Sequence, residues 1–170
     1  FWYQGESNVD RAHEYQSLFP EMIVDWRGHF GDVELPFLYV QLPNYLREAS
    51  EPVDQSWSEM RMAQDQALKL WHVGRVVTID IGDADDIHPK NKVEVGRRSA
   101  IVALNLAYGR HFILSPIYKS HRVEDHRIFV SIDQAVEDLV VRDKYGYIRG
   151  VAIAGADQKF YWAKATISNG

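Results

Sequence analysis

The stretch Pro36-Phe37-Leu38-Tyr39-Val40-Gln41-Leu42-Pro43 is an almost continuous apolar run with a proline at each end. A strand that is buried on one face alternates apolar and polar side chains. A strand that is covered on both faces reads instead as an unbroken apolar run of this length. The stretch therefore predicts a strand inside a sheet that carries other elements on both faces.

The sequence on either side of this strand alternates further short strands with helices. The runs Phe1-Trp2-Tyr3 and Val76-Val77-Thr78-Ile79 predict two more strands. Apolar residues spaced three and four positions apart predict helices over residues 12–30, 57–71 and 93–107. Strands that alternate with helices are typical of an α/β fold with a parallel sheet and helices on both faces.

The predicted helices carry local signals for their ends and faces. Asp10 is the expected N-cap of the first helix and Gly31 its expected end. Pro20 lies inside the same helical pattern and is expected to kink the helix or split it. The apolar residues expected on one face of the third helix are Val93, Ala100, Leu104 and Ala107, followed by Gly109 as its end.

From residue 115 onward the pattern changes to short strands joined by turns. Two antiparallel hairpins are predicted, from residues 115–123 with 127–132 and from residues 151–154 with 160–165. The predicted domain organisation is an α/β region over residues 1–114, followed by a β-rich extension over residues 115–170.

Composition excludes several classes of function. The 24 acidic residues outnumber the 19 basic ones, the formal net charge is −5, and no basic run is long enough to neutralise a row of phosphates. No apolar stretch approaches the roughly 20 residues that span a bilayer. No nucleic-acid or membrane partner is therefore expected. The absence of cysteine excludes disulfides, thiolate metal sites and a cysteine nucleophile.

In an open parallel sheet, ligands bind beside the carboxyl ends of the strands, where loops converge. Three loops meet this condition, at residues 4–8, 44–56 and 80–89.

The loop over residues 80–89 combines a histidine with several carboxylates. His88 is a candidate general base, with Asp85 or Asp86 holding the ring and stabilising its charged form. Histidine suits this task because its ordinary pKa of about 6.5 lets it take and return a proton near neutral pH. Two alternatives remain for the same residues: carboxylates that bind a divalent cation, or a solvated acidic turn at a helix N-terminus.

The loop over residues 4–8 offers amide donors around a glycine. Gln4, Gly5, Glu6 and Asn8 are candidates for an oxyanion or substrate-binding site, and Ser7 looks superficially like a nucleophile at a turn. A helix-capping box is the alternative. Structural or solvated roles are expected for the other histidines, which are His13, His29, His72, His111, His121 and His126.

Four sequence blocks occur in order along the first part of the chain. They are Phe1-Trp2-Tyr3-Gln4-Gly5-Glu6-Ser7-Asn8, Phe37-Leu38-Tyr39-Val40-Gln41-Leu42-Pro43-Asn44-Tyr45, Trp57 with Met60-Arg61 and Ala63-Gln64, and Gly82-Asp83 with Asp86-Ile87-His88-Pro89 and Lys92. Together these blocks resemble the sialate O-acetylesterases of the SGNH hydrolase superfamily, which are similar to acetylxylan esterases. The tail resembles the β region that follows the esterase core in bacterial members.

The resemblance implies a three-layer α/β/α, flavodoxin-like sheet, incomplete at its N-terminal side. It also implies a serine esterase that removes acetyl groups from sugars, typically from O9 of sialic acid, with no metal or other cofactor. His88 matches the catalytic histidine, Asp85 falls where the family has its aspartate, and Gln4-Gly5-Glu6 matches the block that helps form the oxyanion hole.

The family's serine block has no counterpart in the 170 residues, and Ser7 belongs to a different block. The N-terminal part of the same protein is therefore the expected partner that supplies the nucleophile, and this chain by itself is expected to be inactive. Two other functions remain open, an acetylxylan esterase and a non-catalytic sugar-binding or structural module. Family members that act on extracellular glycans are commonly exported, which implies a periplasmic or secreted protein.

Overall fold

A computed structural model describes residues 1–52, 56–133, 139–141 and 144–168 of the chain. The chain forms two compact units. The first unit comprises Phe1–Glu48 and Gln55–Leu114, and the second comprises Ala49–Asp54 and Ser115–Gly170.

The first unit mixes helices with parallel strands. Its elements, in chain order, are a 3₁₀ helix (Glu6–Arg11), α1 (Ala12–Phe30), β1 (Phe37–Val40), α2 (Ser56–Gln64), a second 3₁₀ helix (Asp65–Lys69), β2 (Val73–Val76) and α3 (Lys92–Tyr108).

β1 lies between two parallel neighbours. On one side it pairs with β2, with Phe37 opposite Val73 and Val40 opposite Val76. On the other side Trp2 forms a parallel bridge with β1. The Trp2 N–H donates to the carbonyl of Leu38 at 2.8 Å, and the N–H of Val40 donates to the carbonyl of Trp2 at 2.9 Å. The first residues of the chain therefore continue the sheet beyond β1.

Both faces of β1 are covered, as its apolar run predicted. Phe37 and Tyr39 belong to a core cluster with residues of α1 and α2, whereas Val40 belongs to a second cluster with residues of β2 and α3. The fully buried members of these clusters are Ile23, Tyr39, Val40, Leu42, Met60, Ala67 and Val76. Side chains on a strand alternate between faces, so one short strand anchors helices on both sides.

The resemblance predicted a three-layer sheet that is incomplete at its N-terminal side, and the described part of the chain shows only a small part of such a sheet. An α/β arrangement with helices on both faces is present, but it contains two paired parallel strands and one bridged segment. The described residues of the first unit provide three segments that pair in parallel, namely Trp2, β1 and β2, so no further strand is available there to extend the sheet.

Two local predictions for α1 concern Pro20 and Asp10. Pro20 does not split the helix, which is continuous from Ala12 to Phe30, and the alternative of a kink stays a prediction. Proline leaves the carbonyl four residues earlier without its partner, and that residue, Gln16, is exposed, so solvent can hydrate the carbonyl. Asp10 is not an N-cap, because a 3₁₀ helix without a side-chain cap precedes α1. Gly31 ends the helix in the left-handed conformation, as predicted.

The third strand and the face of α3 also differ from prediction. β2 covers Val73–Val76, three residues earlier than the predicted run, because its pairing ends where β1 ends. α3 buries Val95 and Val102, whereas Val93 is 85% exposed. Val93 and Ala100 are seven residues apart, as are Val95 and Val102, so spacing alone does not choose between the two faces. Gly109 ends α3, as predicted.

The second unit consists of antiparallel hairpins. β3 (Ile117–Glu124) pairs with β4 (Arg127–Asp133), and β5 (Ile148–Ala154) pairs with β6 (Phe160–Ala165). Both hairpins occur where alternation and turn residues predicted them. Among the described residues, no helix is both long enough and apolar enough to cross a membrane.

Candidate active site

The segment that follows the Trp2 bridge is held by hydrogen bonds between its own side chains. The Gln4 Nε2 donates to Asn8 Oδ1 at 2.6 Å, and the Tyr15 hydroxyl donates to Gln4 Oε1 at 3.1 Å. Burial, and then the nearby charge of Glu6, raises the pKa of Tyr3. The two predicted amide side chains of this segment, Gln4 and Asn8, therefore bind each other.

Gly5 occupies a position that a side chain does not fit. Its φ of 147° is disfavoured for other residues, and an added Cβ would lie 2.9 Å from Met60 Cε. The Gly5 carbonyl accepts the N–H of Asn8 at 2.9 Å. Gly5 is buried, and no acceptor for its own N–H is found within the part of the chain that the structure describes. A buried backbone donor without a partner is unusual in a folded protein and suits the binding of an oxyanion.

Ser7 is exposed, and the described residues provide no histidine that is hydrogen-bonded to it. A serine nucleophile needs an adjacent base within hydrogen-bonding reach. The geometry around Ser7 thus agrees with its exclusion from the catalytic residues.

The loop that follows β2 is fixed to its surroundings at two points. The guanidinium of Arg98 binds both carboxylate oxygens of Asp80, at 2.6 and 2.7 Å, and also the carbonyl of Val77 at 2.9 Å. This contact holds the pKa of Asp80 below its ordinary value. Farther along, the Gly82 N–H donates to Asn44 Oδ1 at 2.8 Å. The loops after β1 and β2 therefore lie against each other.

His88 lies on this loop with its side chain 87% exposed. Its backbone N–H donates to Asp86 Oδ1 at 2.9 Å, and its ring Nδ1 lies 3.5 Å from the same oxygen. The backbone hydrogen bond from His88, with a smaller contribution from the charge of Lys90, holds the pKa of Asp86 below its ordinary value. An ionised Asp86 is therefore available to stabilise a protonated His88.

Asp85 has a different partner. Its carboxylate forms a two-point pair with Arg47, with distances of 2.9 Å from Nε and 3.1 Å from Nη2. Asp86, not Asp85, is thus the carboxylate beside the His88 ring in this structure. The orienting role that the resemblance implies for Asp85 stays a prediction, as do the catalytic role of His88 and the binding roles of Gln4, Gly5, Glu6 and Asn8.

The site residues form two groups. One group joins Gln4, Gly5 and Asn8, and the other joins His88 and Asp86. The described residues show no hydrogen bond between the two groups. They also contain no set of three or more acidic or histidine side chains arranged to hold a metal ion.

One residue that joins the strand ends was not singled out from the sequence. Gln64 is fully buried at the end of α2, and its amide binds the backbone after β1 and the backbone of Gln4. A signal was present, because Gln64 shares the apolar helix face of Met60 and Ala67. A polar residue at such a position has to find buried hydrogen-bond partners.

Comparison with known proteins finds relatives among esterases. Residues 1–105 match the family described as "Carbohydrate esterase, sialic acid-specific acetylesterase". A protein named sialate O-acetylesterase from Mus musculus is 36% identical over 126 residues, covering 64% of this chain and 23% of its own length. The protein of the same name from Homo sapiens is 34% identical over 126 residues and is covered over 24% of its length.

A solved structure is similar over nearly the whole chain. The crystal structure of a carbohydrate acetylesterase from Xanthomonas citri matches with a TM-score of 0.90 and 39% identity, covering 98% of this chain and 39% of its own. The match to the mouse and human relatives, by contrast, spans about a quarter of their length.

Proposed function

The chain belongs to the sialic acid-specific acetylesterase family of carbohydrate esterases, and we propose that it forms the histidine-bearing part of an enzyme that hydrolyses O-acetyl esters of sugars. The observation that carries the proposal is the exposed ring of His88 beside the ionised carboxylate of Asp86, on a loop at the carboxyl end of the sheet. Relatives named as acetylesterases support the same chemistry.

The proposed reaction is acyl transfer in two steps. His88 takes the proton of a serine hydroxyl, supplied by a part of the protein outside these 170 residues, while the serine oxygen bonds to the acetyl carbonyl carbon. The ester bond to the sugar then breaks, and the sugar oxygen receives the proton from His88. In the second step His88 takes a proton from water, and the water oxygen bonds to the acetyl carbonyl carbon. The bond between that carbon and the serine oxygen then breaks, His88 returns the proton to the serine oxygen, and acetate is released.

The Gly5 N–H has a specific task in this scheme. Negative charge develops on the acetyl carbonyl oxygen in each tetrahedral intermediate, and a fixed donor at that position stabilises it. We propose that the Gly5 N–H is such a donor, because it is buried and has no acceptor among the described residues.

The finer assignments belong to the same proposal. The intact protein has the three-layer SGNH sheet, its substrate is 9-O-acetyl sialic acid, and it is exported. The relatives' names support the substrate. Acetate release from O-acetyl sialic acid measured beside acetylxylan tests this assignment, and faster release from acetylxylan would contradict it. Cell fractionation tests the export.

Replacement of the base tests the activity itself. In the intact protein, His88→Ala should lower acetate release by about 10²–10⁴-fold, because the proton transfer loses its acceptor. His111→Ala is the matched control, since His111 is exposed and outside the candidate site. Equal activity of the two variants would remove His88 from its role. Asp85→Asn and Asp86→Asn are measured in the same assay. The variant with the larger loss of activity shows which carboxylate orients His88: Asp85, as the resemblance implies, or Asp86, which lies beside the ring.

A further inference from the structure

Gln64 uses its whole amide group to bind three backbone groups on two segments of the chain. It is fully buried. Its Oε1 accepts the N–H of Leu42 at 2.9 Å, just after β1 ends. Its Nε2 donates to the carbonyl of Gln4 at 3.2 Å and to the carbonyl of Val40 at 3.3 Å. One side chain thus connects the strand end with the segment that precedes Gly5.

The bond to Gln4 sets the direction in which the next amide points. The carbonyl of Gln4 and the N–H of Gly5 belong to the same peptide unit, and the described chain contains no cis peptide bond. In a trans peptide the carbonyl and the N–H point in opposite directions. Because Gln64 holds the carbonyl, the Gly5 N–H points away from Gln64, and no described residue accepts it.

From this geometry we infer that Gln64 is a positioning residue of the esterase, which holds the Gln4–Gly5 peptide so that the Gly5 N–H faces the acetyl oxygen. The inference rests on the proposed function. It adds a residue that does not touch the substrate and acts on the reaction only through the backbone that it orients.

Glutamine is the residue type that this position requires. A neutral amide offers one acceptor oxygen and two N–H donors, which match one backbone N–H and two carbonyl oxygens. Glutamate keeps an acceptor for Leu42 but places negative oxygens against the carbonyls of Gln4 and Val40. The peptide is then free to rotate away from the orientation that stabilises the oxyanion.

The test compares Gln64→Glu with wild type in the intact protein, measuring kcat and KM for acetate release from an O-acetylated sugar. The kcat should fall by about 10²-fold, with KM changed by less than about threefold, because an oxyanion donor acts mainly in the transition state. Gln66→Glu is the matched control, since it makes the same change two residues away, where the amide donates to the carbonyl of Met62 at 3.4 Å and not to the Gln4–Gly5 segment. The control should retain wild-type kcat.

Circular dichroism confirms that each variant is folded. If Gln64→Glu does not fold, Gln64→Asn replaces it, because it keeps the amide but withdraws it by one carbon, and the same fall in kcat is expected. Wild-type kcat in a folded Gln64 variant would overturn the inference, as would a change confined to KM. Absence of acetate release by the wild-type protein would overturn the proposed function together with it.

Discussion

Gly5 and Gly28 differ in what one added methyl group would contact. At Gly5 a Cβ would lie 2.9 Å from Met60 Cε, and the backbone φ of 147° is unfavourable for any other residue. At Gly28, near the end of α1, nothing lies within 4 Å of an added Cβ. The two positions thus form a matched pair for testing the local geometry of the candidate site.

Gly5→Ala should destabilise the intact protein by about 1–3 kcal/mol, because the φ of 147° strains any other residue. The contact with Met60 adds less, since Cε is the end of a flexible side chain that can move. Gly28→Ala should leave stability unchanged or raise it by up to about 1 kcal/mol, because alanine favours a helix more than glycine does. Urea unfolding measures both values. Equal stability of the two variants would show that Gly5 does not have the backbone conformation described.

At the scale of elements, the contact between β2 and α3 depends on one small residue. A Cβ on Gly74 would lie 2.5 Å from Val102 Cγ1 and 3.4 Å from Leu106 Cδ2. The helix therefore approaches the strand more closely than a larger residue permits. The loop that carries His88 connects these two elements, so their packing determines where the loop begins and ends.

Gly74→Ala should lower the free energy of unfolding by about 1–3 kcal/mol, because the well-packed core has to shift to admit the methyl group. Gly96→Ala, on the exposed side of α3 with nothing within 4 Å, should raise it by up to about 1 kcal/mol. Denaturant unfolding of both variants checks this contrast. A neutral Gly74→Ala would contradict the close approach.

At the scale of the whole molecule, an ion-pair network contributes to the dependence of stability on pH. Hydrogen bonds from Arg97 and then Arg98 lower the pKa of Glu94 to about 2. Arg98 also binds Asp80, so the network joins the start of α3 to the chain after β2. A carboxylate with a lowered pKa stabilises the fold above its ordinary pKa of about 4.3, and this contribution is lost as the pH falls toward 2.

Glu94→Gln should therefore reduce stability at neutral pH, and the difference from wild type should shrink as the pH falls from about 5 to about 2. Glu59→Gln is the control, because Glu59 is exposed and has no ion pair among the described residues. Urea unfolding across this pH range gives the comparison. A difference that stays constant with pH would exclude the network as its source.

The α/β class, the strand covered on both faces and the two hairpins were predicted correctly, because each produces a local pattern of apolar or turn residues. The buried face of α3 was not predicted correctly. Val93 with Ala100 and Val95 with Val102 have the same spacing, and only packing against Gly74 and Val76 selects the face that contains Val95 and Val102. The start of β2 was missed for a similar reason, since its pairing partner sets its range.

For the candidate site, the sequence by itself determined which residue types are available: a histidine among aspartates on one loop and a glycine among amides on another. Only the tertiary structure decided which partners they have, because several of these hydrogen bonds join residues that are distant in the chain. It paired Asp85 with Arg47 and set Gln64 against Gln4. With Asp85 bound to Arg47, the neighbouring Asp86 is the carboxylate that lies beside His88. Such pairings depend on how strands and helices pack, and that packing cannot be predicted from local sequence patterns.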